Sequence, residues 1–231
     1  MKFDVILWDM DGTLLDFKIA QKEAITQVFR TIHKPLTDDI IDLYSRINES
    51  YWKRLELGEV TRPELLVGRF RRLFEELGMN DVDVDSVRKE YEEVLGNVYE
   101  YIQDSLGLCK MLQPKCKQYI VTNGIAGTQN RKIKLSGFRD CMNDCFISED
   151  ADYEKPNPKF FEYTFSKIPN FDPERTLIVG DSLTSDIKGG ALAGIKTCWF
   201  NPERKEITGD YKPDYEIEHL WDVLRILDFM L

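Results

Sequence analysis

The stretch FDVILWDMDGT, residues 3–13, is the most informative part of the sequence for the fold. Its first part, Phe3–Trp8, is almost continuously apolar, which predicts a buried strand. Asp9 and Asp11 follow at once, one residue apart on the turn that leaves this strand. Two carboxylates in that position can share a metal ion and a phosphate, whereas an Asp-Gly turn that closes a hairpin is the simpler interpretation. Segments elsewhere in the chain have to decide between the two.

The chain changes to helical spacing after this stretch. From about residue 17 to residue 97 the apolar residues recur at helical intervals, and no strand signal of comparable strength interrupts them. The predicted helix faces are marked by residues 24–32, 40–51, 66–77 and 84–95, with Gly78 as a stop for the third.

Strands return beyond the helical region. Short apolar runs predict them at Gln118–Thr122, Cys145–Ser148, Thr176–Val179 and Thr197–Phe200. Helical stretches lie between these runs, one of them ending at Gly137, and such alternation implies a parallel sheet with both faces covered. We therefore expect an α/β protein with a Rossmann-like parallel-sheet core, residues 1–16 and 98–231, and an inserted all-helical domain, residues 17–97.

The composition excludes several classes of protein. The net charge of −10 over 231 residues would repel a nucleic-acid backbone, so we expect no nucleic-acid polymer as partner. The sequence contains no run of about 18 apolar residues, so no membrane span is predicted. The first residues show no signal peptide. A small phosphorylated partner would also be repelled, so a site for it must supply its own positive charge.

The cysteines and histidines give little support to other chemistries. The five cysteines are odd in number and form no C-x-x-C pair, which indicates reduced thiols and a cytoplasmic location. Cys141 and Cys145 could share a helix face, but a zinc site would need two more ligands. With only His33 and His219 present, a Ser-His-Asp mechanism has little to draw on.

Polar residues stand at or just beyond the ends of the predicted strands. They are Asp9 and Asp11, Thr122, Lys155 and Asp181. Each has an ordinary explanation on its own: a turn, a solvated lysine or a helix cap. Ligands of open parallel sheets, however, bind outside the carboxyl ends of the strands. The Asp9 and Asp11 pair together with three further polar residues at one edge therefore favours a site.

Lys155 and two further aspartates extend this prediction. Pro156 biases Lys155 towards an extended backbone, and Asn157 can cap a helix that begins at Pro158, so the lysine would be held just before that helix. Asp181 and Asp186 lie five residues apart. One could ligate a metal while the other holds a metal-bound water or orients the lysine. Oxygen ligands with open positions suit Mg²⁺.

Together these residues resemble the motifs of the haloacid-dehalogenase-like (HAD) hydrolase superfamily over essentially the whole chain. The motifs match at Asp9–Thr13, at Thr122, at Lys155, and at Gly180-Asp181 with Asp186. The helical insertion resembles the cap domain of that superfamily. The segments closest to its pyrimidine 5′-nucleotidase branch are Ser148–Phe161, Asp186–Gly190, Cys198–Asn201 and, in the cap, Trp52, Gly58 and Arg69-Phe70.

The resemblance implies a phosphatase that works through a covalent intermediate. Asp9 would attack phosphorus and form an aspartyl-phosphate. Asp11 would protonate the leaving alkoxide and then take a proton from water, and its presence matters because the dehalogenase members lack an aspartate there. Mg²⁺ would be held by the Asp9 carboxylate, the Asp11 backbone carbonyl and Asp181, with Asp186 supporting them.

The resemblance also implies a phosphate-binding set. Thr122 and the amides near Asn123 and Gly124 would bind phosphoryl oxygens, and Lys155 would stabilise both Asp9 and the transferring group. The cap would then close over the site and select the substrate. Cap residues that we consider for base contact are Tyr44, Tyr51, Trp52, Arg69 and Phe70, although aromatic residues at helical spacing are more often core.

The function expected from the resemblance is a nucleoside 5′-monophosphate phosphatase that prefers pyrimidines. A phosphatase for sugar phosphates or other small metabolites, and a phosphomutase, are alternative enzymes. A catalytically idle HAD-like binding protein is the alternative from another class. The expected partner is a small phosphorylated metabolite, no membrane is involved, and the chain would be a monomer or homodimer.

Overall fold

A computed structural model of the chain, which describes residues 1–229, contains one six-stranded parallel sheet. Its strands are β1 (Val5–Trp8), β2 (Lys117–Thr122), β3 (Asp144–Ile147), β4 (Thr176–Gly180), β5 (Lys196–Phe200) and β6 (Tyr215–Ile217). Their order is β3-β2-β1-β4-β5-β6, and every pairing is parallel. The predicted Rossmann-like parallel sheet is thereby confirmed.

The strands form because their apolar side chains are covered on both faces. All residues of β1 and β4 are buried. Leu7, Val121 and Ile178, from three neighbouring strands, lie in one core cluster with Phe146 and Phe160. Continuous apolar runs are what a parallel sheet between two helical layers requires.

The chain divides into two compact units. One contains Met1–Phe17 and the chain from Glu100 onward, and the other contains Lys18–Tyr99. The second is all helical and is inserted in the sequence between β1 and β2. Its helices are α1 (Phe17–Thr31), α2 (Asp38–Glu56), α3 (Arg62–Glu76) and α4 (Val84–Asn97). Thr61 and Glu64 form a capping box at the start of α3, and the helix ends two residues before Gly78.

An aromatic core holds the helical unit together. The rings of Tyr44, Phe70 and Tyr91 lie 5.1–5.4 Å apart between their centroids, and none of the three side chains reaches solvent. Arg69 is 1% exposed and donates to Asn48 at 2.8 Å. Three residues considered for base contact, Tyr44, Arg69 and Phe70, therefore pack in this core, whereas Tyr51 and Trp52 are only half-buried.

The helices of the α/β unit are α5 (Ser105–Leu112), α6 (Ala126–Leu135), α7 (Ser148–Ala151), α8 (Pro158–Ser166), α9 (Lys188–Leu192) and α10 (Val223–Ile226). As predicted, Asn157 caps α8 by accepting from the Lys159 amide at 3.0 Å, with Pro158 in the first turn. Within residues 1–229 no helix combines the length and the apolar character needed to cross a membrane.

Strand β6 and the helices α5 and α10 were not predicted from the sequence. Strand β6 lies at the sheet edge, where it pairs only with β5. It is three residues long, and an apolar pattern of that length is too short to recognise. Helix α5 buries one face, formed by Ser105, Leu108, Cys109 and Leu112. Apolar residues also stand outside that face, at Leu106 and Met111, so the helical period of SLGLCKML is weak in the sequence.

Candidate active site

The site lies where the direction of strand addition reverses. Strand β1 lies between β2 and β4, so the carboxyl ends of these three strands share one edge of the sheet. Asp9 follows β1, Thr122 ends β2 and Asp181 follows β4. The Asp9 amide donates to the Val179 carbonyl at 2.9 Å, which fixes the turn against β4. Residues distant in the sequence therefore converge at the edge where open parallel sheets bind ligands.

The Lys155 ammonium joins these strand ends. It donates to Asp9 Oδ1 at 2.8 Å, to Asp186 Oδ1 at 2.7 Å and to the Val121 carbonyl at 2.7 Å. Three contacts use all three of its donors. Its backbone is braced by the Asn123 side chain, which accepts from the Lys155 amide and donates to the Lys155 carbonyl, both at 2.8 Å, and the Lys155-Pro156 peptide bond is cis. Lys155 is thus held just before α8, as predicted from the sequence.

Three carboxylates form a cluster beside this lysine. Asp9, Asp181 and Asp186 each place an oxygen within 4.8 Å of the others. Asp9 Oδ2 is buried and has no hydrogen-bond partner among the described residues. With all three ionised, one lysine leaves an excess of two negative charges. An orphaned buried oxygen and this excess fit a divalent cation with oxygen ligands.

Asp9 and Asp186 are buried in this cluster, whereas Asp181 is exposed. Desolvation and the crowding of the carboxylates shift the pKa values of Asp9 and Asp181. Desolvation raises the pKa of Asp9 to about 7, because it outweighs the attraction of Lys155, and the negative charge of Asp186 adds to the shift. Desolvation also raises the pKa of Asp181, with Asp9 and Asp186 adding to it. The pKa of Lys155 is raised although desolvation opposes it, because Asp186 and Asp9 favour the ammonium. A bound cation would relieve the crowded carboxylates.

Two glycines let the carboxylates approach the backbone. Gly12 has φ of +99°, and a Cβ there would stand 2.6 Å from Asp181 Oδ2. A Cβ on Gly180 would stand 2.2 Å from Asp186 Cγ. Any side chain at either position would displace a carboxylate of the cluster, which is the physical reason for the glycines beside both aspartate motifs.

Asp11 does not join the three-carboxylate cluster; its side chain contacts α6 instead. Lys132 Nζ donates to Asp11 Oδ1 at 2.7 Å, and Gln129 Nε2 donates to Asp11 Oδ2 at 2.8 Å. Neither residue was predicted from the sequence. A signal was present, because residues three apart on a helix share a face and α6 begins just beyond Thr122.

The loop after β2 brings the predicted phosphate-binding residues together. Thr122 Oγ accepts from Gln129 Nε2 at 2.6 Å and from the Gly124 amide at 3.3 Å. Asn123 follows directly, but its side chain holds Lys155 rather than pointing to the cluster. The residues predicted from the sequence therefore lie at one edge, with the Gly124 amide already engaged by the Thr122 hydroxyl oxygen.

Comparison with known proteins adds to this geometry. The family model described as hydrolase, haloacid dehalogenase-like hydrolase, matches residues 3–194. The crystal structure of the orthorhombic form of YfnB from Bacillus subtilis, bound to magnesium, superimposes with a TM-score of 0.94 at 38% identity. The superposition covers 99% of this chain and 100% of the YfnB chain.

Curated relatives extend over nearly the whole chain. YfnB of Bacillus subtilis strain 168, described as a HAD-hydrolase, is 39% identical over 98% of this chain and 96% of its own length. The pyrimidine 5′-nucleotidase PynA of Streptococcus pneumoniae is 34% identical, over 99% of this chain and 96% of its own. The pyrimidine 5′-nucleotidase YjjG of Escherichia coli is 28% identical, over 98% and 99%.

Proposed function

Because this chain belongs to the haloacid dehalogenase-like hydrolase family, we propose that it is a Mg²⁺-dependent phosphomonoester hydrolase that works through an aspartyl-phosphate on Asp9. One observation carries the proposal. The buried Lys155 ammonium bridges Asp9 and Asp186, and the second oxygen of Asp9 has no partner among the described residues. A carboxylate fixed in this way can attack phosphorus or ligate a cation.

The proposed reaction has two displacements. An Asp9 carboxylate oxygen forms a bond to phosphorus while the ester P–O bond breaks, and Asp11 gives its proton to the leaving oxygen. Water then attacks the same phosphorus, Asp11 takes its proton, and the bond to Asp9 breaks to release phosphate. Lys155 offsets charge on Asp9 and on the transferring group. The Thr122 hydroxyl and the backbone at Asn123 are the proposed contacts of phosphoryl oxygens, while the Gly124 amide donates to Thr122 Oγ.

The residues at the cluster suit Mg²⁺ in this scheme. Asp9, Asp181 and the backbone carbonyl of Asp11 are the proposed ligands. Both oxygens of Asp186 are engaged, one by Lys155 Nζ and the other by the Ser182 amide at 3.1 Å, so a supporting role fits Asp186 better than direct ligation. Bound there, Mg²⁺ would reduce repulsion between the carboxylates and a phosphate. The magnesium in the YfnB structure supports this choice of ion.

We expect Mg²⁺ to stabilise the fold in the absence of substrate. At ten times its dissociation constant, the ion should add about 1.4 kcal/mol, or about 3–6 °C in Tm for a chain of this size. Because the pKa of Asp9 is about 7, protons compete below that pH, and the shift should be larger at about pH 8 than at about pH 6. Thermal denaturation with Mg²⁺ or EDTA measures both effects.

A matched pair of variants separates this site from general ion effects. Asp181→Asn should lose the Mg²⁺-dependent shift. Asp210→Asn removes an equal charge at an exposed position and should retain it. An equal shift in both variants would contradict binding at the cluster.

A nucleoside 5′-monophosphate, preferably a pyrimidine nucleotide, is the substrate class that we propose. The support comes from PynA and YjjG, both named pyrimidine 5′-nucleotidases and similar over the full chain. We further propose that residues 17–97 act as the cap that selects the substrate, with residues 1–16 and 98–231 forming the catalytic core. A sugar phosphate handled by the same core is the main competing substrate.

A panel of phosphomonoesters tests this substrate class. With Mg²⁺ present, we expect kcat/KM for UMP, dUMP and dTMP to exceed that for ribose 5-phosphate and glucose 6-phosphate by about tenfold or more. Release of inorganic phosphate is the measurement, and EDTA should abolish it. Sugar phosphates turned over as fast as the nucleotides would refute the nucleotidase assignment, while little free phosphate and a need for a bisphosphate activator would indicate a mutase.

A further inference from the structure

We propose that Gln129 and Lys132 of α6 are positioning residues, which together set the Asp11 carboxylate for proton transfer and the Thr122 hydroxyl for phosphate binding. This inference rests on the proposed function. It assigns a task to two buried residues that neither hold the cation cluster nor belong to a motif identified in the sequence.

Lys132 is buried and its charge is paired. Lysines are almost never fully buried unless their charge is paired, yet Lys132 is 1% exposed. Its ammonium forms an ion pair with Asp11 Oδ1 at 2.7 Å and lies 5.5 Å from the centroid of the Phe17 ring. No other carboxylate among the described residues pairs with it. A buried ammonium with this single counterion holds Asp11 in a defined place.

The Gln129 amide contacts both Asp11 and Thr122. Its nitrogen carries two hydrogens, and it lies 2.8 Å from Asp11 Oδ2 and 2.6 Å from Thr122 Oγ. The opposite orientation of the amide would set its oxygen against the carboxylate, so these contacts determine which end faces Asp11. Both Asp11 oxygens thus accept a hydrogen bond from α6, Oδ1 from Lys132 and Oδ2 from Gln129.

The contact with Gln129 also affects the hydrogen bonding of the Thr122 hydroxyl. A hydroxyl has two acceptor sites and one hydrogen. Gln129 Nε2 and the Gly124 amide both donate to Thr122 Oγ, which fills its acceptor sites. Its own hydrogen therefore remains to donate to a phosphoryl oxygen. A single amide side chain links the group that binds phosphate to the group that transfers the proton.

The alternative is an ion pair that only anchors α6 to the loop after β1. The two roles differ in their dependence on the leaving group. An alkoxide leaves well only if a proton is delivered to it, whereas p-nitrophenolate leaves without one. Loss of a positioned acid should therefore slow alkyl esters selectively, while loss of an anchor should affect both kinds of ester alike.

The test is Lys132→Met, assayed with UMP, or with ribose 5-phosphate if that is hydrolysed faster, and with p-nitrophenyl phosphate. We expect kcat/KM for the alkyl ester to fall about 100-fold, within the usual range for general acid catalysis, and that for p-nitrophenyl phosphate to fall less than about threefold. Because Asp11 also activates water, kcat for the aryl ester should fall, with a burst of p-nitrophenolate before the steady state.

Controls keep this test decisive. Lys134→Met removes an exposed charge from the same helix and should match the wild type with both esters. Lys132→Arg should recover part of the alkyl-ester activity. Gln129→Met removes no charge, should show the same selective loss together with a raised KM, and carries the test if Lys132→Met does not fold.

The outcomes separate the two proposals. Equal loss with both esters in the folded variants would overturn the positioning role while leaving the phosphatase assignment intact. A wild-type protein that hydrolyses neither ester with Mg²⁺ present would overturn the proposed function itself, and the positioning role with it.

Discussion

Replacing Asp9 with asparagine should abolish phosphate release, with a loss of at least about 10⁴-fold in kcat. The amide has nearly the shape of the carboxylate but cannot form the covalent bond to phosphorus, so no compensating group remains. The measurement is release of inorganic phosphate from the best substrate of the panel, with Mg²⁺ in excess. Asp210→Asn makes the same chemical change at an exposed position and should keep wild-type activity.

The same variant has an expected effect on stability, which shows that the loss of activity is not unfolding. The Asp9 pKa is raised from 3.8 to about 7, so in the wild type the folded state binds the proton more tightly than the unfolded state. Stability from this group therefore falls as pH rises from about 4 to about 7. Asparagine lacks this penalty, and without metal the Tm of the variant relative to the wild type should rise over that range. Turnover near the wild-type level would contradict the mechanism.

Replacing Lys155 with methionine should damage both catalysis and stability. Methionine fills similar space but leaves Asp9 and Asp186 without their ammonium and the Val121 carbonyl without its donor. Breaking a buried ion pair on one side typically costs about 3–5 kcal/mol, and losing a charge that stabilises the transferring group costs about 10²–10³-fold in kcat. Urea denaturation in EDTA and phosphate release in Mg²⁺ measure the two losses.

The stability loss of Lys155→Met should depend on pH in a definite direction. Without the ammonium, the pKa of Asp9 moves above the wild-type value of about 7. Below that pH the folded-state carboxyl is protonated in both proteins, so its share of the difference vanishes. Above it the penalty in the wild type is complete, whereas the penalty in the variant continues to grow. The difference should be larger at about pH 8.5 than at about pH 6. Lys159→Met, at an exposed lysine of α8, should change stability by less than about 0.5 kcal/mol. A pH-independent loss would argue against the carboxylates as its cause.

The local signals in the sequence located most of the site for a simple reason. The strand at Phe3–Trp8 and the Asp9–Thr13 motif adjoin in the chain, and Asn157 and Pro158 cap the helix that follows Lys155. Such features depend on neighbours within a few residues, so the pattern is sufficient to recognise them. The short edge strand β6 could not be recognised in this way, because three residues are too few to form a pattern.

Aromatic residues in the helical unit show the opposite limit. Tyr44 and Phe70 stand at helical spacing that is equally compatible with a core and with a binding surface. Only the stacking of their rings at 5.4 Å, with both side chains fully buried, shows that they are core. Helical spacing records which residues share a face, and it does not record what that face meets.

The amino-acid sequence alone predicts the parallel sheet, the helical insertion and the aspartates, threonine and lysine at one strand edge, because apolar runs, helical spacing and short motifs are properties of neighbouring residues. How these groups share charge depends on packing between distant parts of the chain. The tertiary structure separates Asp11 from the Asp9, Asp181 and Asp186 cluster and gives it to Gln129 and Lys132. The two residues are more than a hundred positions from Asp11 in the chain, and a contact of that separation depends on how α6 packs against the sheet.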